Sequence, residues 1–124
     1  MKKLSIVAVD DEVDFIDMLK DYFQLRGYEI EVASKATRGM GLINAKKPDV
    51  VILDLKMPGI SGDEILNFLK TEHPKTRVIF VSAFDDAGKT KARMLNAGAS
   101  AYLDKPLNSL KELEEVIRKV HNTN

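Results

Sequence analysis

The sequence predicts an α/β fold, a single doubly wound (βα)5 domain whose five-stranded parallel sheet carries helices on both faces. Two observations lead there. Five short apolar runs alternate with five longer segments of helical period along the 124 residues. Two of those runs, Val50–Leu53 and Val78–Val81, are continuously apolar, as expected of strands covered on both sides. Strict β-α alternation with short links then implies right-handed crossovers. No repeat, low-complexity tract or linker divides the chain, so residues 1–124 read as one domain.

The strands are expected at Leu4–Val9, Glu29–Ala33, Val50–Leu53, Val78–Val81 and Ala101–Leu103. The first helix should cover Val13 to Arg26. Phe15, Ile16, Leu19, Tyr22 and Phe23 make its apolar stripe, and Asp14, Asp17 and Asp21 its wet face. Gly27 is placed to take the left-handed turn that ends it. The second helix, Lys35 to Lys46 behind a Ser34 cap, carries Gly39 and Gly41. Each glycine costs ~0.8–1 kcal/mol relative to alanine inside a helix, so this helix is expected to be the least stable. The third, Gly62 to Glu72, turns Ile65, Leu66 and Leu69 inward and is stopped by Pro74. The fourth spans Asp86 to Ala97 and ends at Gly98. Ala92, Met94, Leu95 and Ala97 give it a thin inner face. Ser109-Leu110-Lys111-Glu112 fits a capping box at the start of the fifth, which buries Leu110, Leu113, Val116, Ile117 and Val120. The tail from His121 is expected to fray.

Composition narrows the function classes. Lys+Arg and Asp+Glu both number 19, so no global field draws the chain to nucleic acid or to an anionic membrane. With no cysteine, disulfides and zinc-thiolate sites are excluded. Met1-Lys2-Lys3 followed by Leu4 to Val9 superficially looks like a secretion signal. That apolar stretch is short and runs straight into Asp10-Asp11-Glu12, which favours a strand. Nothing approaches the ~20 apolar residues of a membrane span, and a cytoplasmic location is the default expectation.

Chemistry-bearing residues gather where the strands end. Asp54 closes Val50–Leu53, Asp10 and Asp11 follow the first strand, Ser82 follows the fourth, and Lys105-Pro106 follows the fifth. In open α/β sheets, ligands bind in the crevice outside these carboxyl ends. Two negative charges ~4 Å apart repel by about 4 kcal/mol at an effective dielectric near 20. Asp10, Asp11 and Asp54 therefore need compensation beyond the one charge of Lys105: a divalent cation or raised carboxyl pKa values. An all-oxygen ligand set without paired histidines or thiols points to Mg²⁺.

Taken together, these marks resemble the two-component response-regulator receiver domain, the chemotaxis-receiver-like family, over nearly the whole chain. They are Asp10-Asp11, Asp54 within Leu53-Asp54-Leu55-Lys56-Met57-Pro58-Gly59, Ser82-Ala83, Tyr102 and Lys105-Pro106. The resemblance implies strand order 2-1-3-4-5. It also implies that Asp54 accepts a phosphoryl group from a sensor histidine kinase or a phosphotransfer protein. Asp11, Asp54 and the Lys56 backbone carbonyl would bind Mg²⁺, with Asp10 helping directly or through water. Lys105 would contact the phosphoryl oxygens and Ser82 would move toward them. Tyr102 would then turn inward and reshape the face of the fourth helix, fifth strand and fifth helix, which addresses a downstream protein or output domain. A phosphorylation-dependent dimer is compatible with that scheme. Direct nucleic-acid or membrane binding is not expected of these residues.

Two positions that such domains leave variable stand at the mouth of the site. Lys56, two after the acceptor, and Phe84, two after Ser82, are expected to restrict the water that attacks the phosphoryl group. Met94 is larger than is usual on the fourth helix, with an expected effect on partner packing. Lys89, Lys91 and Arg93 read as a solvated helix face, and His73 and His121 as surface residues.

Competing readings are a Mg-dependent phosphohydrolase with an aspartyl nucleophile and a receiver-like interaction domain without phosphorylation. The first wants a second acid two residues after the nucleophile, where this chain has Lys56. The intact acidic set and Lys105 count against the second. A flavodoxin-type module would need a phosphate-cradling loop after the first strand, where Asp10-Asp11-Glu12 stands.

Overall fold

The computed structural model describes residues 4–83 and 86–122. In chain order these form β1 (Ser5–Val9), α1 (Val13–Leu25), β2 (Glu29–Ala33), α2 (Ala36–Lys46) and β3 (Val50–Leu53). There follow α3 (Gly62–Glu72), β4 (Arg77–Ser82), α4 (Lys89–Asn96), β5 (Ala101–Asp104) and α5 (Leu110–His121). All five strands pair in parallel in the order β2-β1-β3-β4-β5. The α/β reading and the implied strand order both hold.

Strand polarity explains the continuous apolar runs. Val7, Val9, Val51, Leu53, Val78 and Phe80 face one side, where α2, α3 and α4 contribute Ile43, Ile65, Leu66, Leu69 and Met94. Ile6, Ala8, Val50, Ile52, Ile79 and Val81 face the other, against Ile16, Leu19 and Phe23 of α1 and Leu113 and Ile117 of α5. Each large side chain fully removed from water in this way contributes about 1.5–3 kcal/mol.

Register places the site. Val9 is the partner of Leu53, so the next residues, Asp10 and Asp54, leave the sheet side by side. Leu53 pairs with Phe80, and Ser82 with Asp104, which lines up the ends of β4 and β5 with them. The backbone hydrogen bonds continue past the strands, from Asp54 N–H to Val9 C=O and from Lys105 N–H to Ser82 C=O.

Several boundaries differ from expectation. Gly27 takes the left-handed turn (φ 91°), with Arg26 as the helix cap rather than its last residue. Ser34 does not cap α2. Lys35 stands at that position and makes no side-chain cap, so Ser34 lies one residue too early. Ser61 and Ser109 do cap α3 and α5, accepting from the N–H groups of Glu64 and Glu112.

The fourth helix departs most. It begins at Lys89 rather than Asp86, because Ala87 (φ 57°) and Gly88 (φ 82°) are both left-handed and break the helical path. Asp86 instead accepts from the Thr90 N–H at 3.1 Å and from the Thr90 hydroxyl. The inner face is Thr90 and Met94, one turn apart, while Ala92, Leu95 and Ala97 lie exposed. Met94 is therefore a core residue, packed in the cluster that holds Phe80 and Tyr102.

Candidate functional site

Asp54 sits at the end of β3 with its carboxylate 5% exposed. Three donors hold it. The Ser82 hydroxyl and the Lys56 N–H both donate to Oδ1, at 2.7 and 2.9 Å. The Lys105 ammonium donates to Oδ2 at 3.3 Å. Ser82 is fully buried, so its hydroxyl is already committed to the Asp54 carboxylate. Oδ2 is the less encumbered oxygen.

Lys105 is shared. Its Nζ also donates to Asp10 Oδ2 at 2.7 Å and to Glu12 Oε1 at 2.5 Å, and it lies 4.8 Å from the centre of the Phe15 ring. Burial alone would lower its pKa. The bonds to Asp10 and Glu12 outweigh that and raise it, so the side chain is a fixed ammonium. Asp10, 3% exposed, shows the opposite conflict: burial raises its pKa although Lys105 and the Glu12 N–H stabilise its charged form. The Lys105–Pro106 peptide is cis.

Asp10, Glu12 and Asp54 bring carboxylate oxygens within 4.8 Å of one another. With one ammonium among three carboxylates, two negative charges remain to be neutralised. An oxygen-only donor set of that charge suits a hard divalent cation such as Mg²⁺. Asp11, expected among the ligands, is not in this cluster. It is exposed and lines a cavity with Ser34, Thr37, Met57 and Pro58 instead. Glu12 completes the cluster, its carboxylate paired with Lys105. In the sequence it stands within the acidic run Asp10-Asp11-Glu12, the signal that could have found it.

Residues 6–118 match the family model described as response regulator receiver domain. The chain belongs to that family.

Known proteins resemble it over nearly its whole length. Sporulation initiation phosphotransferase F of Bacillus subtilis is 28% identical over 119 residues, covering 96% of this chain and 94% of that protein. The transcriptional regulatory protein YvrH of the same organism is 35% identical over 120 residues, but the chain spans only 49% of its length. A CheY-like receiver domain structure from Methanospirillum hungatei superimposes with a TM-score of 0.85 at 30% identity, covering 96% and 94% of the two chains. A receiver is the signalling part of a two-component response regulator, and a phosphorylation switch is its general kind of function.

In this receiver Tyr102 already has its ring inside. It is 4% exposed and its ring lies 6.4 Å from that of Phe80. Burial raises its pKa, and its hydroxyl has no hydrogen-bond partner among the described residues. It lines a cavity of about 420 Å³ with Ala83, Asp86, Lys91, Asp104 and Lys105. Of the two positions expected at the site mouth, Lys56 is exposed beside Asp54. Phe84 lies outside the described residues. His73 is half-buried, with Nε2 2.8 Å from Asn44 Oδ1. No helix among the described residues is long and apolar enough to cross a membrane.

Proposed function

We propose that residues 1–124 act as one cytoplasmic receiver in which Asp54 accepts a phosphoryl group from the phosphohistidine of a sensor kinase or phosphotransfer protein. Asp54 Oδ2 forms the new P–O bond while the P–N bond breaks and its electron pair returns to the donor imidazole. Phosphoryl transfer needs mainly positioning and charge neutralisation. Ser82 and the Lys56 N–H fix the carboxylate through Oδ1, and Lys105 offers its ammonium to the incoming oxygens. That arrangement of donors around one buried carboxylate is the observation on which the proposal rests.

Bound Mg²⁺ would neutralise charge on the transferring group. Asp10 and Asp54 would hold it, together with the Lys56 backbone carbonyl. Asp11 would join only by swinging in from its exposed position. The phosphodonor would rest in a cavity of about 510 Å³ that adjoins Lys105 and is lined by Phe15, Met18, Pro106, Leu107 and Leu110. Lys56, exposed beside Asp54, would slow water attack on the product, and Phe84 is assigned the same role from its place two residues after Ser82 in the sequence.

The covalent phosphate adds charge and acceptors at one point. Ser82 and Lys105 are the groups placed to turn toward them. Tyr102, already buried, would gain a hydroxyl partner rather than change its ring position. The resulting change of the α4-β5-α5 face would address a downstream protein or an output domain, or pair two copies of the chain. Catalysis would extend only to the domain's own phosphorylation and hydrolysis.

Incubation with acetyl phosphate and Mg²⁺, followed by peptide mapping, tests this. Label confined to Asp54 and absent from Asp54→Asn is expected. An unlabelled chain, or label retained in Asp54→Asn, would overturn it. Turnover of a small phosphate ester beyond stoichiometric labelling would favour the phosphohydrolase reading.

A further inference from the structure

Lys105 has three N–H donors, and three carboxylates take them. The contacts are 2.5 Å to Glu12, 2.7 Å to Asp10 and 3.3 Å to Asp54, so the longest goes to the acceptor. A phosphoryl group on Asp54 Oδ2 would free only the donor of that longest contact, while the two shorter ones still hold the ammonium toward Asp10 and Glu12, so its close approach to the new oxygens requires one of these to yield. Asp10 is poorly placed to do so. It is buried, and its other oxygen is tied to the Glu12 N–H at 2.9 Å. Glu12 is 62% exposed, and its carboxylate can be released into water.

We propose that Glu12 is a positioning residue that holds the Lys105 ammonium in the resting site and thereby opposes the phosphorylated state of Asp54. The proposal rests on the acceptor role assigned to Asp54 above. Glu12 competes with the phosphoryl oxygens for one donor, so its strength sets part of the balance between the two states. No bond is made or broken at Glu12 itself.

Beryllofluoride, a tetrahedral phosphoryl analogue that docks on a carboxylate oxygen, separates this role from catalysis. Its Kd would be measured by NMR titration at saturating Mg²⁺ for the whole chain, for Glu12→Ala and for Asp14→Asn. Asp14, exposed in the first turn of α1, removes the same charge nearby without a contact to Lys105. An exposed ion pair of this kind should be worth about two- to fivefold, so Glu12→Ala is expected to bind beryllofluoride that much more tightly. The Lys105 side-chain resonances should shift in the free Glu12→Ala variant, and Asp14→Asn should leave both readouts unchanged.

Equal Kd values for the wild-type chain and Glu12→Ala would overturn the proposal. So would an equal gain in Asp14→Asn, which would show a general field rather than a hold on Lys105. A weaker Mg²⁺ affinity in Glu12→Ala without tighter beryllofluoride would assign Glu12 to the metal instead. If the wild-type chain bound no beryllofluoride and took no label, Asp54 would lose its acceptor role and Glu12 its purpose.

Discussion

Ser82, at the end of β4, donates its hydroxyl to Asp54 Oδ1 at 2.7 Å, and both residues are buried. The parallel pairing of β3 with β4 creates this bond, because it carries the chain end of one strand past that of the other. Only the Lys56 N–H shares Oδ1 with it among the described residues. Ser82→Ala would leave a buried carboxylate short of one donor. A hydrogen bond to a charged group is worth about 1.5–3 kcal/mol, and urea unfolding should show a loss of that size. A change near zero would mean that water replaces the hydroxyl and that Asp54 does not depend on it.

Gly39 and Gly41 are two residues apart in α2 and should respond oppositely to alanine. A Cβ on Gly39 would fall 2.5 Å from Val9 Cγ2, whereas one on Gly41 would meet nothing within 4 Å. Gly41→Ala should therefore stabilise by about 0.8–1 kcal/mol, through helix propensity alone. Gly39→Ala should destabilise by about 1–3 kcal/mol, the cost of an overpacked core. Chemical denaturation of the two variants checks both signs.

These two glycines also show what the sequence could and could not tell. Propensity made both equally costly, and only packing against Val9 gives Gly39 a reason to be there. Strands were legible because burial on both faces leaves an unbroken apolar run. Val50–Leu53 was read to the residue. The convergence of Asp54, Lys105 and Ser82 was legible because each stands at a strand end. Asp11 and Glu12 were not, since adjacent residues point in different directions as the chain turns into α1, and composition alone cannot say which one faces the site. Glu114 was invisible for a different reason: its tyrosine partners lie 86 and 92 residues away.

Ala87 is the non-glycine residue whose backbone strain can be tested most directly. It is exposed at φ 57°, just ahead of α4. A left-handed conformation costs an L-residue about 1–2 kcal/mol, part of which is offset by the extra chain entropy that glycine loses on folding. Ala87→Gly should stabilise by about 0.5–1 kcal/mol in thermal or urea unfolding. A destabilised variant would mean that the turn before Lys89 is held by something other than local backbone geometry.

Glu114 makes the pH dependence of stability readable at one residue. It is 3% exposed on α5 and accepts from Tyr28 Oη at 2.8 Å, Tyr22 Oη at 3.0 Å and Arg118 Nη2 at 3.3 Å, with Arg26 Nε at 2.6 Å. Arg118 Nε also donates to Tyr28 Oη, which ties α5 to the chain between α1 and β2. Burial alone would raise the carboxyl pKa. Arg26 and the two tyrosine hydroxyls outweigh it and pull Glu114 down from 4.5 to about 2. The unfolded chain therefore binds the proton more readily than the folded one. The stabilisation is complete above about pH 4.5 and is lost as pH falls through about 2. Both arginines are about half in water, which moderates the size. Glu114→Gln should cost about 1.5–3 kcal/mol at pH 7, the range for bonds to a charged group. The gap from wild type, measured by urea unfolding at a series of pH values, should close as the pH approaches 2. A gap that stayed constant would show that the network works through shape and neutral hydrogen bonds, with the charge on Glu114 contributing nothing.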